Sequence, residues 1–228
     1  MHCKKILSGS LWMLFTLQFS TGASAQTAGL EADRTLNRPA SVSMSDAIYR
    51  GKSALRVMDS TTNGTATIIP LKTENFKNGT ITADIAGQPR KGAPESARGF
   101  VGIAFRVAGE RRYEAIYIRP TNGRSTDQFR RNHTAQYVSM PDFDWERLRA
   151  EHPGKYESYA DVAPGEWSRL RICVQGETAR LFIDGDEQPS LIVNDLKLGA
   201  GGSGGVALWV GPHTEAYFAN VTVAHGPE

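Results

Sequence analysis

The stretch Trp167-Ser168-Arg169-Leu170-Arg171-Ile172-Cys173-Val174 carries the reading of the fold class. Ser168, Leu170, Ile172 and Val174 share one parity, while Trp167, Arg169, Arg171 and Cys173 share the other. Side chains of a strand alternate between its two faces, so this period of two marks a strand with one apolar face. The pattern recurs in both directions along the chain. Val101, Ile103, Phe105 and Val107 alternate with Gly102, Ala104 and Arg106, and Val206, Leu208 and Val210 repeat it, as do Tyr217, Ala219, Val221 and Val223. Residues 180–183 and 191–193 form two more runs, joined through Asp184-Gly185, a pair that favours a hairpin turn. Helical spacing is confined to residues 144–151, with Trp145 and Leu148 at i, i+3 and Pro153-Gly154 as the stop. Many short strands beside one short helix predict an all-β fold, a sandwich or jelly roll of two antiparallel sheets, and exclude an α/β architecture.

The first residues predict export. Lys4 and Lys5 precede a mainly apolar run from Ile6 to Phe19, and Ala23-Ser24-Ala25 supplies the small-x-small pattern of a signal peptide, residues 1–25, cleaved before Gln26. Ser8, Ser10, Thr16 and Gln18 interrupt the run, which falls short of the about 20 apolar residues a membrane span needs. A periplasmic or extracellular location follows. The full chain has 26 Lys and Arg against 24 Asp and Glu, and loss of Lys4 and Lys5 brings the two into balance. No basic excess remains of the kind a nucleic-acid binder shows. Cys3 leaves with the signal, so Cys173 stands alone, without an intrachain disulfide or a paired-cysteine zinc site. Its place inside a strand predicts a buried, inert thiol. Residues 26–228 suffice for one well-filled core and are expected to form a single domain.

The alternation lapses between Arg119 and Glu166, a gap of about 45 residues where connections ordinarily run to about 4–6. This insert, about residues 121–164, holds Phe129, Tyr137, Phe143, Trp145, Tyr156 and Tyr159 among several arginines. Its aromatic content argues against disorder. Polar forks interleaved with apolar rings suit a small polar ligand such as a sugar, whose hydroxyl pairs match planar donors and acceptors. The candidate ligand-binding residues are Arg106, Tyr117, Arg119, Asn122, Arg124, Asp127, Gln128, Arg131, Asn132, Gln136 and Tyr137. Glu114 shares parity with Ile116 and Ile118, and a carboxylate on an apolar strand face must be paired or neutralised. Structural pairing with a nearby arginine and contact with ligand, as a catalytic acid/base, stay equally open.

Other motifs carry less. Residues 199–205 fit both G-x-G-x-x-G and G-x-S-x-G, yet a strand follows them where either motif requires a helix, so they read as a flexible hairpin loop. The pairs Asp142/Asp144 and Asp184/Asp186 could help bind calcium, although aspartate is favoured in such turns for backbone capping alone. No other cofactor is expected. The compact E-x-D-x-x-E strand motif of one sandwich glycanase family is absent, since Glu31-Ala32-Asp33-Arg34-Thr35-Leu36 ends in leucine.

Five strings together carry a family likeness: residues 98–106 (Arg98, Gly99, Phe100, Val101, Gly102, Ile103, Ala104, Phe105, Arg106), Tyr113-Glu114, residues 165–171, residues 181–185 and residues 217–221. In this order they resemble the concanavalin A-like lectin/glucanase superfamily, in particular laminin G-like domains and the bacterial 3-keto-disaccharide hydrolase domain, over about residues 76–223. The resemblance implies a two-sheet jelly roll and a sugar-related ligand. The hydrolase domain's Asn-Ser-Gly ahead of the Phe105-Arg106 equivalent is replaced here by Gly99-Phe100-Val101-Gly102. Three function classes therefore stand side by side. They are an exported carbohydrate-binding domain, a hydrolase of a glycoside or 3-keto-glycoside using Glu114, and a structural or protein-interaction domain without a small-molecule site.

Overall fold

A computed structural model describes residues 32–33, 40–61, 64–73, 75–109 and 111–227. The signal peptide and the expected start at Gln26 lie outside the described residues. Thirteen strands among the described residues form two antiparallel sheets. The seven-stranded sheet runs in the order β1 (Val42–Tyr49), β2 (Lys52–Asp59), β13 (Thr214–His225), β4 (Gly79–Pro89), β9 (Ser168–Gln175), β10 (Thr178–Ile183) and β11 (Leu191–Val193). The six-stranded sheet runs β3 (Thr67–Pro70), β12 (Gly205–Val210), β5 (Val101–Val107), β6 (Tyr113–Ile118), β7 (Ala135–Met140) and β8 (Glu157–Ser158). The expected all-β jelly-roll sandwich is what forms.

The core between the sheets takes one parity from each strand: Ile81, Ala83 and Ile85 of β4, Leu170, Ile172 and Val174 of β9, and Ile103, Phe105, Ile116 and Ile118 of β5 and β6. Trp167 packs against a separate cluster with Tyr217 on the outer face of the seven-stranded sheet. Cys173 shares this outward parity and is partly exposed, 3.4 Å from an Arg171 guanidinium nitrogen, so it is not the buried thiol its strand position suggested.

Two bulges break the simple alternation. In β13 the register shifts between Ala219 and Thr222, with Asn220 at φ +50°. Tyr217 and Ala219 accordingly face outward while Val221 and Val223 face the core, although all four share a sequence parity. In β5 the register shifts opposite Gly205 and Ala207, and Arg106 sits at φ +52°. The extra residue turns Arg106 inward and moves Val107 to the outer cluster. Gly204 permits the close approach at this bulge, since a Cβ there would meet the Val107 carbonyl oxygen at 2.3 Å.

Three further expectations change. The insert is no external loop, because β7 and β8 lie inside it and extend the six-stranded sheet beyond β6. Its strand signal was weak because β7 is buried on both faces, leaving no polar alternation to read. Helix is not confined to one place, since α1 (Pro120–Gly123) and α2 (Gln128–Asn132) precede α3 (Trp145–Glu151). Asp127 and Asp144 cap α2 and α3 by accepting from the backbone N–H of Phe129 and Arg147. Finally, residues 199–205 join β11 to β12 across the two sheets and make no hairpin.

Candidate functional site

The six-stranded sheet divides the sequence candidates between its two faces. On the inner face, Glu114 of β6 has no exposed surface and meets Arg106 at 3.2 Å, both side chains being fully enclosed. Its other carboxylate oxygen accepts from the Tyr137 hydroxyl at 2.7 Å and from the Leu198 backbone N–H at 3.2 Å. Arg106 donates its remaining hydrogen bonds to the carbonyls of Lys77, Gly176 and Gly199. The glycine-rich segment thus helps enclose a buried guanidinium. Burial and the neighbouring Glu114 carboxylate both push the Tyr137 phenol far above its ordinary range, so it stays a neutral donor. Every charge and polar group of this cluster is paired, as buried ions must be.

On the outer face, Tyr117 and Trp209 flank Gly102 on adjacent strands and stack with ring centroids 4.1 Å apart, 13° from parallel. Gly102 makes room for them, because a Cβ there would meet the Tyr117 Cβ at 2.4 Å. Ala104, Ala115 and Ala207 continue this bed of small residues, with Tyr113 and Val138 beside it. The Trp209 Nε1–H is buried beside the Tyr113 hydroxyl without a well-formed hydrogen bond to it. Burial raises the Tyr117 phenol, against the Arg119 charge beside it. Arg119 donates to the Tyr117 hydroxyl at 2.9 Å, to Gln136 Oε1 at 3.1 Å and to the His133 carbonyl at 2.9 Å.

Beyond Arg119 the face ends in a charged rim. Glu157 of β8 is aligned with Gln136 of β7 and is nearly enclosed, its side chain 2% exposed. Arg119 reaches it at 3.4 Å, His133 at 3.2 Å, and Arg149 of α3 donates to both of its oxygens. Trp145, 40% exposed, lies between the Arg119 and Arg149 guanidinium groups, whose centres are 5.9 and 4.7 Å from its ring. Phe129, 64% exposed, stacks obliquely on His133.

The candidate set therefore splits into three groups. Tyr117, Arg119 and Gln136 form one hydrogen-bonded unit on the outer face, and Asn122 joins it through the His133 carbonyl that Arg119 also uses. Arg106, Glu114 and Tyr137 form the enclosed inner cluster. The third group lies on the insert surface: Arg124 pairs with Asp161, Asp127 with Arg130, Gln128 with Asn132, and Arg131 stacks on Tyr159. Arg106 and Glu114 do not share a face with Arg119. The inward turn of Arg106 and the alternation of β6 separate them.

Sequence reasoning passed over Glu157, Arg149 and Trp209 as site residues. A signal existed for Trp209, a large aromatic on the parity opposite Val206, Leu208 and Val210. Glu157 is placed by a two-residue strand with no pattern to read. Of the four aspartates raised for calcium, two accept from backbone: Asp144 caps α3, and Asp184 accepts from the Arg169 N–H at 2.6 Å. Among the described residues no group of three or more His, Cys, Asp or Glu is arranged to hold a metal ion. No helix among them is long and apolar enough to cross a membrane.

No protein-family model and no characterised protein sequence matches the chain. Solved structures do resemble it. The carbohydrate-binding module CBM66 from Bacillus subtilis superposes with a TM-score of 0.55 at 13% identity, over 80% of this chain and 91% of that one. A Bacillus subtilis protein of unknown function with a galectin-like fold gives 0.52 at 13% identity, over 81% and 88%. These likenesses are of fold alone, a two-sheet jelly-roll sandwich of the galectin-like kind.

Proposed function

We propose that this concanavalin A-like sandwich is an exported carbohydrate-binding domain whose ligand lies on the outer face of the six-stranded sheet. The observation that supports it is the continuous run Trp209–Tyr117–Arg119–Trp145, in which aromatic rings alternate with a planar hydrogen-bonding group from the sheet centre to the exposed rim. Sugar rings present apolar C–H faces and paired hydroxyls; Trp145, 40% exposed, offers a ring face at the rim, backed by Tyr117, Arg119 and Trp209, which are themselves buried. The buried Trp209 N–H, beside the Tyr113 hydroxyl and without a well-formed hydrogen bond to it, adds a further donor to the face. The module from Bacillus subtilis that shares the fold is itself described as carbohydrate-binding.

Hydrolysis through Glu114 finds less support. A general acid/base must come within hydrogen-bond reach of its substrate, and Glu114 is enclosed by Arg106, Tyr137 and the Leu198 backbone. The same enclosure fits a role in holding the core.

A glycan array followed by titration calorimetry on the protein tests the reading. Trp145→Ala is expected to weaken the best ligand about tenfold, the loss of one aromatic contact. Absence of binding to every glycan class would refute it. Export is tested separately by the intact mass of secreted material, which should begin at Gln26. Retention of residues 1–25 would overturn that part.

A further inference from the structure

We propose that the ligand of this face is an acidic sugar, one carrying a uronate-type carboxylate, which rests on the carbohydrate-binding reading above. The observation is an excess of cations around one carboxylate. Glu157 is shared by Arg119, Arg149 and, when it is protonated, His133. Arg149 takes both Glu157 oxygens, leaving Arg119 only its longer 3.4 Å contact. The other partners of Arg119 are neutral: the His133 carbonyl, the Tyr117 hydroxyl and the Gln136 side chain. Hydrogen bonds to neutral oxygens engage its donors without offsetting its charge, so its one counter-ion is the carboxylate that it shares with Arg149. Two guanidinium groups, one of them almost enclosed, therefore face a single carboxylate.

Arg98 adds to the excess. It precedes β5 beside α1, where its carbonyl accepts from the Thr121 N–H. Its guanidinium donates only to the carbonyls of Glu95 and Ala97. Burial lowers its proton affinity, and so do Arg130 and Arg119 nearby, with exposed Glu95 acting in the opposite sense. Like charges crowded in a partly desolvated place are unfavourable unless an anion joins them. In the inner cluster, by contrast, one arginine meets one glutamate and the charges close. The rim has the unclosed form, beside the exposed ring of Trp145. An acidic sugar fits better than a neutral one, because the guanidinium donors are already engaged and what the rim leaves open is positive charge, which a carboxylate on a sugar ring would offset.

The test compares matched probes on the full chain by calorimetry: uronic-acid trisaccharides, their methyl esters, neutral trisaccharides of the same linkage, and sulfated trisaccharides. Esterification removes the charge and keeps the ring, so the acid is expected to bind about tenfold more tightly than its ester, with the advantage shrinking as sodium chloride rises. Arg149→Gln should bring the acid down to the affinity of its ester. Arg98→Gln, outside the Glu157 cluster, should lower the preference about threefold, and it serves if the first variant folds poorly. Equal binding of acid and ester, or binding of neutral sugars alone, overturns the acidic-ligand proposal while leaving sugar binding intact. Binding of sulfated sugars without uronates overturns the carboxylate assignment. Failure of every probe and of the whole glycan array removes the carbohydrate reading itself.

Discussion

Glu114 and Glu157 are carboxylates with almost no exposure, each met by arginine, on opposite faces of the same sheet. The inner one is closed in charge and in hydrogen bonds. Its partner Arg106 is held by three backbone carbonyls besides, and residues from β5, β6, β7 and the segment after β11 all converge on it. The outer one is crowded with cations that it cannot neutralise alone, beside the exposed ring of Trp145. Burial alone does not mark function. What separates a structural ion pair from a recognition site is whether the local charges and donors close without a ligand.

The largest expected effect breaks the inner pair. Glu114→Gln keeps the shape and leaves Arg106 as an uncompensated buried charge, so unfolding free energy should fall by about 3–5 kcal/mol, much of what a domain possesses. Urea denaturation measures it. Sugar affinity of the folded fraction should be unchanged, and a loss of affinity with little loss of stability would return Glu114 to the site.

Glu157→Gln should behave differently. Arg149 reaches solvent and Arg119 keeps its neutral partners, so the stability loss is expected at about 1–3 kcal/mol. It also frees Arg119 and Arg149, so affinity for a uronate should rise while affinity for its methyl ester does not. Parallel titrations of the two probes check this, and a fall for both would mean that Glu157 contacts the ligand directly.

The contrast was half legible in the sequence. Alternation in β9, β12 and β6 assigned core residues correctly, and the carboxylate of Glu114 among Ile116 and Ile118 already demanded a partner. Arg106 could not be assigned to the inner face, because a bulge with φ +52° reverses parity and no proline or glycine at that position announces it. Tyr217 and Val221 were grouped together for the same reason. The outer site was less visible still. Tyr117 and Gln136 belong to two strands, Arg119 follows the first of them, and Glu157, Arg149 and Trp145 reach them from a two-residue strand and a short helix, so the unit exists only through the pairing of β6, β7 and β8.

A third carboxylate sharpens the comparison on the opposite sheet. Asp84 is buried on the outer face of β4, where Arg169, Lys52 and Asn220 donate to it at 2.6, 2.6 and 2.7 Å. Burial pushes its carboxyl up, but the hydrogen bonds from Arg169, Lys52 and Asn220 outweigh burial and hold it well below the usual carboxylate range. A depressed folded-state value means that the unfolded chain binds the proton first, so the stabilisation is present above the unfolded value of about 4 and is lost as pH falls below it. Unfolding free energy measured over a series of acidic pH values should therefore decline with falling pH, and Asp84→Asn should flatten that slope. An unchanged slope would show that the cluster contributes no net linkage.

Trp209→Phe probes the outer face with a smaller change. It keeps a ring on Tyr117 and removes the unpaired N–H, so stability should hold or rise slightly. Ligand affinity should drop about fivefold, the worth of one hydrogen bond of about 1 kcal/mol. Calorimetry paired with thermal melts separates the two. A melting point that falls while affinity stays would mean that the indole serves packing alone.

The smallest effect belongs to the insert surface, where Arg124 pairs with Asp161 at 3.2 Å with both side chains 66% exposed. Such a pair gains little in water, is screened by salt and must immobilise two flexible chains, so its worth is about 0–0.5 kcal/mol. Arg124 entered the candidate set for its guanidinium and for a place next to Asn122 in the chain. The two residues part company in the fold, since Asn122 turns inward to the His133 carbonyl and Arg124 outward to solvent. Arg124→Ala should leave both the urea midpoint and the affinity for neutral and acidic sugars within error of the unmodified protein. If it instead lowers uronate affinity as much as Arg149→Gln does, the positive rim extends along α1 and α2, and the boundary between recognition surface and ordinary solvated surface lies further out than Glu157.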